Sequence, residues 1–246
     1  MELSDEFTKR KEEISKNLKT VRRNIAEAAE SCGRDPEKIR LLVVTKNHPA
    51  SDAYALWQLG ERDFGENRVQ ELTAKMEELA ETDAEVNWHM IGTLQRNKVK
   101  YISGKMAMIH SVDSLRLARR IQNQAEKRNV TEEILLQVNY SGEESKHGFS
   151  PEGVKEALPE LLTLPSLHLR GLMTMAEYDV SEERIEETFD GVRKLAETLK
   201  TEMPEEKAAR FDRLSMGMSH DYEIAVRCGA TDLRIGSAIL GQRNYG

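Results

Sequence analysis

Short apolar runs rich in β-branched residues alternate with amphipathic helical patterns along most of this chain. The predicted strands span, in order, residues 41–46, 63–66, 87–92, 106–112, 133–139, 168–175, 211–216 and 232–236. Between them, apolar residues recur every three or four positions, the period of a helix with one buried face. Strict alternation predicts parallel strands joined by right-handed crossovers, and eight such units are the number that closes a (β/α)8 barrel.

An open, doubly wound sheet is the alternative fold. It is the weaker one, because no GxGxxG motif follows the first strand and no change in composition marks a second half. We therefore expect one domain over residues 1–246. Its first 33 residues carry apolar side chains at helical spacing from Phe7 to Ala28, which predicts a long helix packed on the barrel and ended near Gly33.

Composition narrows the class of protein further. A net charge of -7 with 32% charged residues indicates an acidic protein, which argues against nucleic acid as the main partner. The charged amino-terminal segment resembles neither a signal peptide nor a membrane anchor, so we expect a cytoplasmic protein without membrane contact. Cys32 and Cys228 lie far apart and lack metal-binding spacing. They predict neither a disulfide nor a zinc site, and we expect both thiols to be buried and reduced.

The carboxyl ends of the strands are where a parallel barrel binds its ligand. Residues at the carboxyl ends of the predicted strands are therefore expected to converge there; they are Lys46, Glu66, Asn67, His89, Gly92, Asn139 to Ser141, Met175, Ser215 to Ser219, Gly236 and Ser237. Of these, Lys46 is the most reactive residue type. A lysine that loses part of its hydration has a lowered pKa, and its neutral amine can form a Schiff base with a carbonyl. The alternative is an ordinary surface lysine.

Two glycine- and serine-containing turns predict a phosphate site. In SMGMSHD, residues 215–221, we expect Ser219 to cap a helix and Gly217 to let the backbone approach an anion. RIGSAILG, residues 234–241, again places Gly236 and Ser237 directly after a strand. In a (β/α)8 barrel the loops after strands seven and eight are the usual phosphate cradle. Two such turns beside a Schiff-base lysine favour pyridoxal 5′-phosphate (PLP), although each alone is consistent with an ordinary capped turn.

Three further positions leave alternatives open. Arg234 lies inside a strand and either donates to the pyridine nitrogen of PLP or forms a salt bridge with Asp232 or Asp212. His89 is either an acid/base group or, as is commoner on an apolar strand, a hydrogen-bonded core residue. Lys146 and His147 belong either to a solvated loop or to a lid at the barrel mouth that carries a second, weaker lysine site.

Over roughly residues 37–243 the chain contains, in order, the motifs VVTKNHP, FGENRVQE, WHMIGTLQRNKVK, SGEESKHGF, LRGLMTM, LSMGMSHDYEIAVRCGAT and LRIGSAILG. With these motifs the chain resembles the YggS/PROSC family of pyridoxal phosphate homeostasis proteins. The resemblance implies an alanine-racemase-like barrel of fold type III with no established catalytic turnover. It also implies the cofactor contacts: a Schiff base on Lys46, Asn67 near the cofactor, Ser215, Ser219, Gly236 and Ser237 at the phosphate, and Arg234 at the pyridine nitrogen.

The functional expectation is a PLP carrier that buffers the cofactor or delivers it to apo-enzymes in transient contacts, with no catalytic residues. A PLP-dependent racemase is the alternative. It needs a base on each face of the substrate, and in alanine racemase the second base comes from an additional domain and a partner subunit. This chain stops at Gly246, shortly after the last predicted strand, so we expect neither that domain nor a dimer, but a monomer. A Schiff-base aldolase is a third possibility and would be colourless as purified.

Overall fold

The computed structural model describes residues 5–143 and 147–242. Eight parallel strands form a closed barrel in which each strand pairs with its neighbours in sequence. The strands are β1 (Arg40–Val44), β2 (Asp63–Glu66), β3 (Asn87–Met90), β4 (Met108–Val112), β5 (Glu132–Gln137), β6 (Leu167–Met173), β7 (Arg213–Ser215) and β8 (Asp232–Ile235). The predicted barrel and its eight strands are confirmed, and the open-sheet alternative is wrong.

The seam of the barrel lies between its first and last strands. β1 pairs with β8 so that Leu42 is opposite Arg234 and Val43 is opposite Ile235. On its other edge β1 pairs with β2, with Val44 opposite Gly65. This register brings residues that follow β1 and β8 to the same end of the barrel.

Helices surround the strands. They are α1 (Asp5–Ser31), α2 (Ala50–Gln58), α3 (Val69–Leu79), α4 (Val99–Ile102), α5 (Leu115–Arg128), α6 (Pro151–Leu161), α7 (Glu182–Thr201), α8 (Glu205–Arg210), α9 (Tyr222–Arg227) and α10 (Ser237–Leu240), with a 3₁₀ turn at Pro36–Lys38. None of the helices in the described ranges is long and apolar enough to cross a membrane.

The predicted amino-terminal helix is confirmed as α1, which packs against α2, α9 and α10. Its buried face includes Ile14, Leu18 and Val21, which repeat at the predicted spacing. Arg10 joins three elements, because its guanidinium contacts the Asp52 carboxylate of α2 at 2.8 Å and donates to the carbonyl of Leu240 at 2.8 Å. Helix α1 therefore fastens the two sides of the barrel seam together.

Residues alternate between the two faces of each strand. The outward face joins the helices in one apolar core, which includes Val43, Phe64 and Leu233. Inside the barrel a small separate apolar cluster is formed by Met108, Leu135 and Met173. The other interior positions include buried polar side chains, namely His89, His110, Ser215 and Arg234. The barrel interior is thus apolar on one side and polar on the other.

The expectation for the two cysteines needs correction. Cys32 is exposed, because it lies one residue beyond the end of α1, where the chain turns away from the core. Cys228 is half-buried at the end of α9, and burial raises the pKa of its thiol to about 11. The prediction that both thiols are buried is therefore wrong for Cys32.

Candidate functional site

A cavity of about 220 Å³ opens at the carboxyl ends of the strands. Six of the seven predicted cofactor-binding residues line it: Lys46, Asn67, Ser219, Arg234, Gly236 and Ser237. Its other lining residues are Val44, His48, Ile91, Met175, Met218, His220 and Gly241. The volume lies below the roughly 300–1,000 Å³ of sites for drug-sized ligands, so the cavity suits a small ligand with a single ring.

The charge of the cavity wall is the opposite of the charge of the whole protein. Lys46 and Arg234 contribute cationic side chains, and no Asp or Glu of the described residues is in the lining. The chain as a whole carries 43 acidic and 36 basic residues. Because like charges disfavour binding and cationic clefts concentrate anions, this wall favours an anionic ligand.

Lys46 reaches the cavity because of the alternation of strand residues. Val44, at the end of β1, also lines the cavity, and the side chain two residues later points to the same face. Thr45 lies between them and points outward, where its hydroxyl donates to Oε1 of Glu66 at 2.6 Å. Lys46 is half-buried, as expected for a lysine at the mouth of a barrel.

A buried ionic network outside the barrel wall holds the backbone around this lysine. Nζ of Lys75 donates to the carbonyl of Thr45 at 2.6 Å, to Oε1 of Glu66 at 2.6 Å and to Oε1 of Glu71 at 2.9 Å. The same Glu71 oxygen accepts the backbone N–H of Asn47. The network therefore binds the residues on both sides of position 46. Burial raises the pKa of Glu66, and the charge of Lys75 opposes that rise.

The two predicted phosphate turns are joined by one hydroxyl. Oγ of Ser219, in the turn after β7, accepts the backbone N–H groups of Gly236 at 3.3 Å and Ala238 at 3.2 Å. Gly236 lies so close to β1 that a Cβ atom there would be 3.1 Å from the carbonyl oxygen of Val44. The first turn of α10 thus meets the hydroxyls of Ser219 and Ser237 at the cavity wall.

The turn after β7 also differs from its prediction. Helix α9 begins at Tyr222 with Asp221 in the capping position, so Ser219 is not a helix cap. Asp221 instead accepts the backbone N–H of Met218 within the turn. Gly217 has a φ of +93°, and a Cβ atom there would be 2.6 Å from Cβ of Ala225. The sharp bend at Gly217 directs Ser219 toward α10 rather than along α9.

Arg234 is buried at the cavity wall and is 4% exposed. One terminal nitrogen donates to Oγ of Ser215 at 2.6 Å and the other donates to the carbonyl of Thr174 at 2.8 Å. Burial lowers the pKa of Arg234 to about 10. The guanidinium is therefore held by neutral oxygen atoms and still carries its charge at neutral pH.

These contacts settle two alternatives. Asp232 lies near Arg40 at 3.5 Å and Arg213 at 3.8 Å, so the alternative salt bridge between Asp232 and Arg234 is not formed. Asp212 contacts Arg170 at 2.7 Å instead.

The predicted position of Ser215 also needs correction. Ser215 is 1% exposed and lies beneath Arg234, outside the cavity lining in the described part of the chain. Its hydroxyl holds the arginine and does not face a phosphate site.

Several other residues expected at strand ends do not reach the cavity. Glu66 faces α3, and the segment 139–141 is not in the described lining. His89 is fully buried and hydrogen-bonded to Asp63 and His110, so the interpretation as a core residue is confirmed. Position 147 is exposed, whereas Lys146 lies outside the described residues.

The sequence interpretation missed two residues, His110 and Thr174, that support the Arg234 side of the site. His110 lies within β4, and Thr174, which directly follows β6, falls inside the predicted strand 168–175 rather than after it. Strand alternation was the signal that could have identified His110, because it places His110 on the same face as Met108 in the barrel interior.

Comparison with known proteins agrees with this site. The family model for the alanine racemase N-terminal domain matches residues 17–244. A relative from Aquifex aeolicus, named pyridoxal phosphate homeostasis protein, is 42% identical over 228 residues, which are 93% of this chain and 97% of the relative. The Escherichia coli K12 protein of the same name is 39% identical over 239 residues, covering 95% of this chain and 98% of its own length.

Solved structures are also similar to this chain. PipY of Synechococcus elongatus, solved with PLP bound, has a TM-score of 0.81 and 33% identity, with 93% of this chain and 100% of PipY covered. Alanine racemase of Clostridium difficile has a TM-score of 0.70 at 20% identity and shows a shared barrel fold, with 95% of this chain but 57% of the racemase covered. The chain belongs to the family of pyridoxal phosphate homeostasis proteins, whose barrel is that of the alanine racemase N-terminal domain.

Proposed function

We propose that this protein binds PLP in the cavity, holds it as a Schiff base on Lys46, and buffers or delivers it within the cytoplasm. One observation carries the proposal: a half-buried lysine, a buried guanidinium and a cradle of hydroxyl and N–H groups line a single small cavity, and none of its described lining residues is a carboxylate. Membership of the family supports it, because a solved relative, PipY, binds PLP.

The groups around the cavity fit the three polar ends of PLP. The phosphate would lie against Ser219, Ser237 and the start of α10, where the two hydroxyls would donate to an anion. A side chain at Gly236 would fill this cradle, since its Cβ would already lie 3.1 Å from a carbonyl oxygen of β1. Asn67 would contact the ring, and the amine of Lys46 would meet the aldehyde.

When bound, PLP supplies an aldehyde that amines attack and a ring that can withdraw electrons from them. Arg234 limits the second property. Its guanidinium keeps its proton and can only donate, so it would leave the ring nitrogen unprotonated and weaken electron withdrawal. Storage of the cofactor is thereby favoured over turnover of amino acids, which is why we assign no catalytic residue.

The proposed working unit is a monomer of one PLP-binding domain, residues 1–246, whose partners are PLP and, transiently, apo-enzymes that accept it. A racemase is the alternative, and His48 and His220 in the cavity wall are the only other described ionisable side chains there that could act as bases. Incubation of the loaded protein with single enantiomers of amino acids tests it. Appearance of the opposite enantiomer, lost in Lys46→Ala, would favour an enzyme.

The proposed Schiff base is tested by absorbance and mass spectrometry of the purified protein. We expect a visible absorption band that borohydride abolishes, with reduced cofactor mapped to Lys46 in the digest. Lys194→Arg serves as a control, because it changes an exposed lysine outside the cavity lining while keeping its charge. A colourless protein that cannot be reconstituted with PLP, or label only on other lysines, would contradict the proposal.

A further inference from the structure

Five polar side chains form an unbroken line of hydrogen bonds across the barrel interior. Arg234 contacts Oγ of Ser215 at 2.6 Å, and this oxygen lies 2.8 Å from Nδ1 of His110. Nε2 of His110 is 3.0 Å from Nδ1 of His89, whose Nε2 is 2.9 Å from Oδ1 of Asp63. The line connects the cavity wall to the first residue of β2, at the opposite end of the barrel.

With both imidazoles neutral, the two ends of this line determine the direction of every hydrogen bond in it. A guanidinium only donates and a carboxylate only accepts. Ser215 therefore accepts from Arg234 and donates its own proton to Nδ1 of His110. His110 then donates through Nε2 to His89, which donates through Nε2 to Asp63. All four contacts are satisfied at once when both imidazoles are neutral and protonated on Nε2.

The surroundings favour a neutral His110. Its ring is 0% exposed, and no carboxylate contacts it among the described residues. Burial lowers the pKa of His110 well below its ordinary range, and the charges of Arg234, Arg40 and Arg213 lower it further. At the far end burial raises the pKa of Asp63, but hydrogen bonds from His89 and Asn87 and the charge of Arg40 together bring it below the ordinary value.

We propose that Asp63, His89, His110 and Ser215 act as positioning residues that hold the Arg234 guanidinium at the cavity wall in the orientation that the ring nitrogen of PLP requires. This inference rests on the proposed function, since it concerns how one PLP contact is set. One terminal nitrogen of the Arg234 guanidinium donates to Ser215 in the line, and the other terminal nitrogen donates to the carbonyl of Thr174. With those donors occupied, the arginine cannot turn away from the cavity without leaving buried acceptors unpaired, which is unfavourable.

Protonation of His110 would break the line. A His110 imidazolium would donate through both nitrogens, so the Ser215 proton would lose its acceptor. The arrangement therefore requires that His110 stays neutral in the folded protein near neutral pH, in agreement with its lowered pKa.

The first test uses ¹⁵N-histidine NMR on the full chain without PLP. We expect His110 to remain neutral from about pH 8 to about pH 5.5, the range where ordinary histidines titrate. In Asp63→Asn, which keeps the shape but removes the charge, the signals of both histidines should shift. In Met108→Leu, a volume-conserving change in the same interior, they should not. Titration of His110 in this range in the wild-type protein, or an effect of Asp63→Asn confined to His89, would overturn the inference.

The second test measures dissociation of PLP by absorbance after dilution into a PLP acceptor. Ser215→Ala should speed release about tenfold or more, and Asp63→Asn, far from the cavity, should speed it severalfold, since linked buried hydrogen bonds are coupled. Met108→Leu should not change the rate. Equal rates for wild type and Asp63→Asn would overturn the positioning role while PLP binding, and so the proposed function, remained. Failure of the wild-type protein to bind PLP would overturn the proposed function, and the NMR test would still decide whether the line exists.

Discussion

At the scale of single residues, the shape of the phosphate cradle depends on the missing side chain of Gly217. Its φ of +93° is costly for other residues, and a Cβ there would collide with Ala225 at 2.6 Å. Gly60 provides a comparison, because its φ is +100° but nothing lies within 4 Å of its Cβ position.

We therefore predict different costs for alanine at these two glycines. Gly60→Ala should lower the free energy of unfolding by about 1–2 kcal/mol, the cost of the backbone conformation alone. Gly217→Ala should lower the free energy of unfolding by about a further 1–3 kcal/mol, because the added methyl group overpacks the turn. It should also weaken PLP binding, because the turn that carries Ser219 must move. Urea unfolding and PLP titration measure both effects. Equal stability of the two variants would show that the collision is relieved without moving the turn.

Residue-level prediction from the sequence succeeded where a side chain directly follows a strand. Lys46, Asn67 and Gly236 reach the cavity because the carboxyl ends of all strands meet there. It failed for Ser215, which is the last residue of β7 and points into the interior beneath Arg234. A motif places a serine in a turn or at a strand end, but only the register of the strand decides whether its hydroxyl lies above or below a neighbouring side chain.

At the scale of elements, β1, β2 and α3 are joined by the Lys75 network. Glu66 is 0% exposed and Lys75 is 4% exposed, so their charges compensate each other in a dry environment. Removal of one partner from such a pair is costly, because it leaves the other charge buried alone.

Lys75→Met should therefore destabilise the protein by about 3–5 kcal/mol and shift the absorption of bound PLP, because the carbonyl of Thr45 loses its donor next to Lys46. Adding Glu66→Gln should restore much of the stability. As a control, Lys194→Met removes an exposed lysine that pairs with Asp190 and should leave the unfolding midpoint unchanged. The test compares the thermal unfolding midpoints of the wild type, Lys75→Met, the double variant with Glu66→Gln, and Lys194→Met. A midpoint for Lys75→Met equal to that of the wild type would show that Glu66 is already neutral in the folded protein.

The sequence predicted elements better than it predicted their interior contacts. Hydrophobic periodicity located all eight strands, because each must cover the core on its outward face. It did not predict that His110 on β4 meets Ser215 on β7, since these strands are not neighbours in the sheet and approach only across the barrel interior. Such contacts depend on barrel closure, which no local pattern encodes.

At the scale of the whole molecule, buried carboxylates make stability depend on pH. Burial opposes ionisation of Asp52, but hydrogen bonds from His48 and Arg10 bring its pKa below the ordinary value. The pKa of Asp63 is lowered in the same way by His89. At acid pH the unfolded chain therefore binds more protons at these positions than the folded protein does.

We predict that the free energy of unfolding is constant above the unfolded carboxylate pKa of about 4 and falls as the pH drops through the lower folded pKa values. Asp52→Asn should be less stable at neutral pH and should lose less stability on acidification, because its contact with Arg10 no longer titrates. Urea unfolding between about pH 7 and about pH 3 measures both slopes. Glu78→Gln, an exposed position, should keep the wild-type slope. Parallel curves for wild type and Asp52→Asn would assign the acid sensitivity to other groups.

The pairing of β1 with β8 has a consequence for biosynthesis. The reactive lysine emerges from the ribosome early, whereas Arg234, Gly236 and Ser237 emerge only with the last strand and the turn behind it. Until then the growing chain carries an amine that can meet the aldehyde of PLP without the cradle that would retain it. Under the proposed function, retention of the cofactor would therefore require the finished barrel.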